Sequence, residues 1–189
     1  VKNKTGWKNL LKLQEIAVKE NFYYKPRIRF EDLLENGEGI IVSTACLQGL
    51  LSKNIIAGNI LKAEYYLKKL QEVFKDDLYI ELMPNRLADQ KKVNPVLLKL
   101  AQQYKIKTII TPDTHYGNKE EKGIHQAITA ICWKKRFEEG GYGDDTFYLL
   151  TEEEIKKLMK ENHPAIPESV VDESLKNTFE IRDKIDFKI

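Results

Sequence analysis

The sequence has few cysteines, no long apolar run and little net charge, and these absences exclude several classes of protein. Only two cysteines, Cys46 and Cys132, occur among 189 residues, so a reducing cytoplasm is expected rather than a disulfide scaffold. The apolar runs are only several residues long, so neither a membrane span nor a secretory h-region is expected. The net charge of +2 is too balanced to indicate nucleic-acid binding by itself.

What is present is the composition of a soluble globular protein, with 42% hydrophobic and 32% charged residues. The length allows one domain with a sizeable core, or a domain with an appendage. Val1 leads almost directly into a helical pattern, which is an unusual start for a native protein. We therefore expect a fragment of a longer chain.

Short apolar runs alternate with amphipathic segments along the chain. Strands are predicted at 39–43, 78–82 and 107–111. Helices are predicted at 6–20, 30–35, 59–74, 89–104, 118–134, 151–160 and 168–184, with a further short one beginning within 47–53. Strands that alternate with helices long enough to cross over predict an α/β fold with parallel pairing.

The segment 108–117 indicates the chemistry most directly. A β-branched run ends at Pro112, and Asp113 and His115 follow two residues apart. In extended backbone such side chains point the same way, so a carboxylate and an imidazole converge like half of a metal site. The alternative is that Asp113 caps the next helix while His115 packs in a loop.

Two other strand ends carry candidate residues. Cys46 follows the first strand, and its thiolate is a good zinc ligand, although a free cysteine is also a common core residue. Glu81 lies near the end of the second strand, where it either supports ligands or forms an ordinary salt bridge. Working residues of parallel α/β folds gather at the carboxyl ends of strands, so we expect these side chains near Asp113 and His115.

Three further segments have open or modest interpretations. The stretch 22–27 is aromatic and then basic, and it is either a packed connector or a place where Tyr23, Lys25 and Arg27 contact phosphate or a nucleic-acid backbone. His125 and Cys132 lie seven apart on one helix, and core packing is predicted for both. The glycine-rich stretch 140–145 is predicted to be a mobile surface loop.

Several motifs together resemble the PHP (polymerase and histidinol phosphatase) domain of bacterial DNA polymerase III alpha subunits. They are Ser43–Gly49 (STACLQG), Thr111–Tyr116 (TPDTHY), Phe147–Leu149, Phe22–Ile28, Tyr79–Leu82, Gln90–Asn94 and Asn177–Ile181. They occur in the family's order and spacing across nearly the whole chain. The resemblance implies that residues 1–189 are the carboxyl-terminal portion of a PHP domain, part of a distorted (β/α)7 barrel with mostly parallel strands and crossover helices.

The resemblance also implies a set of metal ligands. Active family members bind a cluster of divalent ions (Zn, Mn or Mg), and Cys46, Asp113 and His115 match three of nine ligands. Glu81 matches a recurrent position that is not a direct ligand, and Pro112 stands where Asn is more usual. The other six ligands come from upstream motifs that this sequence lacks, so the metal site is expected to be incomplete in this chain.

The implied function is that of a fragment of a bacterial or phage replicative DNA polymerase, a cytoplasmic nucleotidyltransferase. Its PHP site is expected to be of the phosphoesterase or 3′–5′ exonuclease type, and DNA, a proofreading exonuclease and the sliding clamp are the implied partners. The alternatives are a non-catalytic scaffold for a proofreading partner and a stand-alone phosphoesterase of the histidinol-phosphatase kind. The fragment alone is expected to be inactive and, with unpaired strand edges, prone to self-association.

Overall fold

The structure, a computed structural model, describes residues 1–188. Within them lie the helices α1 (Lys4–Lys19), α2 (Phe30–Glu35), α3 (Leu50–Ile56), α4 (Ile60–Phe74), α5 (Ala88–Tyr104), α6 (Lys122–Trp133), α7 (Glu152–Asn162) and α8 (Glu168–Asp183), and the strands β1 (Val42–Ser43), β2 (Leu78–Leu82) and β3 (Thr108–Ile110). None of these helices is long and apolar enough to cross a membrane.

The three strands form one parallel sheet in the order β1–β2–β3. Val42 pairs with Leu78 in the first ladder, and Ile80 pairs with Thr108 in the second. The predicted α/β class and parallel pairing are therefore confirmed for residues 1–188. The seven-stranded barrel implied by the resemblance stays a prediction.

The core lies on both faces of β2, whose five residues are all buried. One face contacts the apolar side of α4, where Ala63, Leu67 and Leu70 are buried because they recur at helical spacing. Tyr79 points to the other face and is fully buried. Its hydroxyl donates to Glu180 of α8 at 2.8 Å, so α8 covers this side of the sheet.

Several element boundaries differ from the sequence prediction by one or more residues, and those beside the candidate site are described below. The first strand is shorter, at Val42–Ser43. The turn after it, in which the Gly49 N–H donates to the Cys46 carbonyl at 2.8 Å, delays the start of α3 until Leu50. The predicted helix 118–134 begins with a 3-10 turn at Lys119–Glu121, so α6 itself starts at Lys122.

Core packing was predicted for His125 and Cys132 on α6, and the prediction is wrong for Cys132. Cys132 is exposed, because no element of residues 1–188 covers that part of the helix surface. His125, two helical turns earlier, is half-buried, and its ring lies beside that of His115 in the loop that follows β3.

Candidate metal centre

A small cavity of about 200 Å³ lies where the loops after the strands meet. Its lining comprises Cys46, Leu47, Gln48, Asn85, Leu87, Asp113, His115, Tyr142 and Phe147. Parallel strands bring their carboxyl ends to one edge, so loops far apart in sequence meet there. The structure therefore places Cys46, Asp113 and His115 in one cavity, while their role as ligands stays a prediction.

Asp113 and His115 are in contact, but not for the reason that the sequence suggested. His115 Nε2 lies 3.5 Å from Asp113 Oδ1. The backbone of Asp113 has φ +53°, which is left-handed rather than extended, so strand periodicity does not align the two side chains. A turn brings them together, and the His115 N–H donates to the Phe147 carbonyl at 2.7 Å, which fixes the turn.

The surroundings of Asp113 disfavour the ionised form of its carboxyl group. Burial raises the pKa of the Asp113 carboxyl above its ordinary value, His115 opposes this effect, and the nearby Glu81 carboxylate adds to it. A raised pKa means that the ionised carboxylate is poorly stabilised by the residues present.

Glu81 does not line the cavity; it joins the strand ends that carry the candidate ligands. Its side chain is buried and accepts hydrogen bonds from the hydroxyl groups of Ser43 and Thr111. Its own N–H donates to Thr44 Oγ1 at 2.9 Å. Because Ser43 and Thr111 precede the loops of Cys46 and Asp113, Glu81 fixes the spacing between those loops.

Two residues beside His115 were not identified as site residues from the sequence. The Tyr142 ring lies 4.7 Å from the His115 ring, and the His125 ring lies 5.5 Å from it. Phe147 closes another side, edge-on at 5.4 Å. Burial lowers the pKa of His125, and the charge of His115 lowers it further. Three rings therefore contact His115, although the residue as a whole remains exposed.

Tyr142 comes from the glycine-rich stretch that was predicted to be a mobile surface loop. The structure shows that this loop packs on α6, since the Gly141 N–H donates to Thr129 Oγ1 at 2.6 Å. Gly140 lies so close to the Gln126 carbonyl that an added Cβ would be 2.2 Å from its oxygen. The glycine is needed for this approach, and no local pattern in the sequence shows that Tyr142 lies beside His115.

A buried polar network holds the loop that follows β2. Asn94 is fully buried, donates to the Met83 carbonyl at 2.8 Å and accepts from Gln90 at 2.7 Å. His163, also buried, contacts the Asn85 carbonyl through Nε2 at 2.9 Å. Asn85 lines the cavity, so this network fixes one of its walls.

Tyr23, Lys25 and Arg27 are exposed on the loop between α1 and α2, and none of them lines the cavity. The Arg27 guanidinium lies over the Tyr23 ring at 5.3 Å from its centroid. The structure therefore separates the aromatic and basic loop from the strand-end site as two different surfaces.

The donor types at the cavity suit a divalent metal, but the set is incomplete. Thiolate, carboxylate and imidazole are all zinc ligands. Among residues 1–188, however, no group of three or more His, Cys, Asp or Glu side chains is arranged to hold an ion.

Comparison with known proteins defines the class. A family model described as "PHP domain" matches residues 1–85. The match includes Cys46 and Glu81, and Asp113 and His115 lie beyond it. Residues 1–85 therefore have the class of PHP-domain proteins.

The relatives of the chain identify the particular family. The chain is 42% identical to the DNA polymerase III subunit alpha of Aquifex aeolicus over 76% of the chain. It is 34% identical to the subunit of Borreliella burgdorferi over the whole chain. The Helicobacter pylori subunit is 32% identical over 97% of the chain. The chain belongs to the PHP-domain family of bacterial DNA polymerase III alpha subunits. It spans only 12% to 16% of the length of these relatives.

Proposed function

We propose that this chain is the part of a PHP domain that contributes Cys46, Asp113 and His115 to a divalent-metal site in a replicative DNA polymerase alpha subunit. Residues outside the chain complete the ligand set. The proposed reaction class of the complete site is phosphoester hydrolysis of the 3′–5′ exonuclease type. The parent protein is proposed to be a DNA-directed DNA polymerase.

The single observation that carries this proposal is the meeting of the three side chains at one cavity. Cys46 follows β1, whereas Asp113 and His115 both follow β3, and the three share the wall of a space of about 200 Å³. The raised pKa of the Asp113 carboxyl supports a cation at this place, because burial leaves the carboxylate without enough positive charge nearby. Glu81 acts as a supporting residue that holds the ligand loops and does not bind the ion.

The proposed partners follow from the relatives. Their names state that they are subunits of DNA polymerase III, so DNA and other replication subunits, such as a proofreading exonuclease or the sliding clamp, are the proposed partners of the parent protein. The cysteines of residues 1–188 are free thiols, which supports a reducing cytoplasm as the location.

A scaffold function is the second candidate, and one observation favours it. Within residues 1–188 no group of ligands is arranged to hold an ion, so the domain can also serve as a folded support for the polymerase without its own chemistry. The names of the relatives do not favour the third candidate, a stand-alone phosphoesterase.

The two cysteines provide a matched test in the full-length parent protein. Bound metal is measured by mass spectrometry after gel filtration, and exonuclease activity is measured on single-stranded DNA labelled at its 5′ end. Cys46→Ala is expected to lose metal and exonuclease activity, while Cys132→Ala, which changes an exposed thiol, keeps both. Equal metal content in the two variants would contradict the proposal that Cys46 binds the metal. Exonuclease activity absent from every form, with polymerase activity retained, would favour the scaffold.

A further inference from the structure

The loop between α1 and α2 exposes an unusual concentration of aromatic surface. The side chains of Phe22, Tyr23 and Tyr24 are 58%, 63% and 82% exposed. The rings of Tyr23 and Tyr24 meet edge to face, with centroids 4.6 Å apart. Adjacent aromatic residues that remain in water indicate a contact surface rather than core packing. The packed connector that the sequence allowed as an alternative does not occur among residues 1–188.

The loop is fixed at its base, so the exposed rings belong to a built structure. The buried carboxylate of Asp32 accepts from the Asn21 amide at 3.0 Å, from the Arg29 N–H at 2.8 Å and from the Arg29 guanidinium at 2.6 Å. Asn21 and Arg29 flank the loop, so one carboxylate holds both of its ends. The hydrogen bond from Arg29 is the largest of the effects that lower the pKa of the Asp32 carboxyl.

The tip of the loop is a tight turn that directs one ring outward. The Tyr23 N–H donates to the Lys25 carbonyl at 3.2 Å, and Tyr24 between them has φ +57°. A bulky residue in the left-handed region is uncommon, and glycine would fit there without strain. A tyrosine at this position therefore strains the backbone. A contact made by its ring would explain why a tyrosine is present there.

The positive charges on the loop are available for a partner. Arg29 is used by Asp32, but Lys25 and Arg27 form no ion pair with any of the residues that the structure describes. The Arg27 guanidinium instead lies over the Tyr23 ring. Rings, a guanidinium and an ammonium group thus share one short loop.

We propose that the loop 22–28 binds single-stranded nucleic acid, with bases stacked on Tyr23 and Tyr24 and phosphates contacted by Lys25 and Arg27. Planar rings beside cations are the two components of sequence-tolerant single-strand binding. An apolar protein partner would not need the two cations, so charge complementarity favours the nucleic acid. The proposal deepens the proposed function and rests on it, because it assigns a DNA contact to a surface separate from the cavity.

The test uses the 189-residue chain and a short oligothymidylate labelled with fluorescein, whose binding is followed by fluorescence anisotropy. Tyr24→Gly removes the ring and relieves the positive φ, so weaker binding by this variant cannot be attributed to misfolding. We expect its Kd to rise by at least about fivefold, the lower end of the effect of removing one stacking ring. Tyr24→Phe keeps the ring and is expected to bind like the parent chain.

Controls on α4 match each change. Tyr65→Ala removes another exposed tyrosine, and Lys62→Gln removes another exposed cation; neither is expected to change the Kd. Arg27→Gln is expected to reduce the slope of log K against log salt by about 0.7, the contribution of one phosphate contact on a single strand.

The proposal is overturned if the chain does not bind the oligothymidylate, or if Tyr24→Gly binds as tightly as Tyr65→Ala. If Tyr24→Gly changes the sedimentation of the chain but not its affinity for the oligonucleotide, the loop is a protein contact and the proposal is equally wrong. Neither result bears on the metal content measured for Cys46→Ala, so the proposal for the loop and the proposal for the metal site can be refuted independently.

Discussion

The side-chain amide of Asn94 donates to Nδ1 of His163 at a distance of 3.1 Å, although the two residues are 69 positions apart. Both are buried, and Nε2 of His163 contacts the Asn85 carbonyl at 2.9 Å. Since Nδ1 accepts and Nε2 donates, this arrangement requires the neutral imidazole with its proton on Nε2. The residue that follows α7 thereby holds a wall of the cavity.

His163→Ala should therefore destabilise the chain. It leaves a buried amide and a buried carbonyl without partners and opens a cavity, so we expect the free energy of unfolding to fall by about 2–4 kcal/mol. Urea denaturation measures this change. Glu161→Ala, at an exposed position of α7 two residues earlier, is the control and should stay within about 0.5 kcal/mol. Equal effects of the two variants would contradict the structural role of the network.

The same histidine should make stability depend on pH. Burial lowers the pKa of His163 below its ordinary 6.5, so the unfolded chain binds a proton at a higher pH than the folded chain does. The stabilisation from the neutral imidazole is complete above the unfolded pKa and is lost as the pH falls below it. Unfolding measured at a series of pH values should show a smaller loss on acidification in His163→Ala than in the parent chain. An unchanged loss would refute this origin. His125, whose pKa is lowered in the same direction, and Glu180, whose pKa is lowered to about 2, are expected to contribute to the loss that remains.

Removing the charge of Glu81 should change the titration of Asp113. The Glu81 carboxylate raises the pKa of the Asp113 carboxyl, so the pKa should move down in Glu81→Gln, in which an amide oxygen can still accept one hydrogen bond. Carbon-13 NMR of the aspartate carboxyl groups measures the shift. Glu153→Gln, at an exposed position on α7, should leave the titration of Asp113 unchanged. A pKa that stays constant or rises in Glu81→Gln would show that the two carboxylates do not interact.

Glu180 should contribute stability that acid removes. Lys107, whose ammonium group donates to it at 2.5 Å, is the main cause that lowers the pKa of Glu180 to about 2. A lowered carboxyl pKa gives stability that is complete above the ordinary value of 4.5 and is lost as the pH falls from there towards 2. Because Lys107 is half exposed, we expect Glu180→Gln to cost only about 1 kcal/mol at neutral pH. Denaturation at pH 7 and pH 3 tests this: the cost should shrink at pH 3, and a cost that does not depend on pH would contradict the assignment.

The first turn of α7 should depend on one hydroxyl group. Thr151 accepts from the Glu154 N–H, and the Glu154 carboxylate accepts from the Thr151 N–H at 2.8 Å. Removing this N-cap in Thr151→Ala should lower the free energy of unfolding by about 1 kcal/mol, while Thr151→Ser keeps the hydroxyl and most of the stability. Thermal unfolding followed by circular dichroism compares the two. The same melting temperature for both variants would show that the cap is not needed.

The sequence predicted that Asp113 and His115 would lie together, and they do, but the backbone geometry that brings them together differs from the predicted one. Asp113 and His115 were expected to converge because alternate residues of a strand share a face. They do lie in contact, but through a left-handed residue at Asp113, which sequence periodicity does not predict. Tyr142 and His125 were not found, because a glycine-rich loop and a helix carry no local signal of which loop they contact.

The sequence by itself determined the features that depend on neighbours in the chain. The helix α2, the strand β2 and the capping box at Thr151 follow from local spacing and hydrogen bonding, and the alternation of strands with helices determined the parallel sheet. Only the tertiary structure decided which distant side chains meet. Glu81 joins two neighbouring strands and His163 supports a loop far from it in sequence, because those contacts depend on how whole elements pack and not on local patterns.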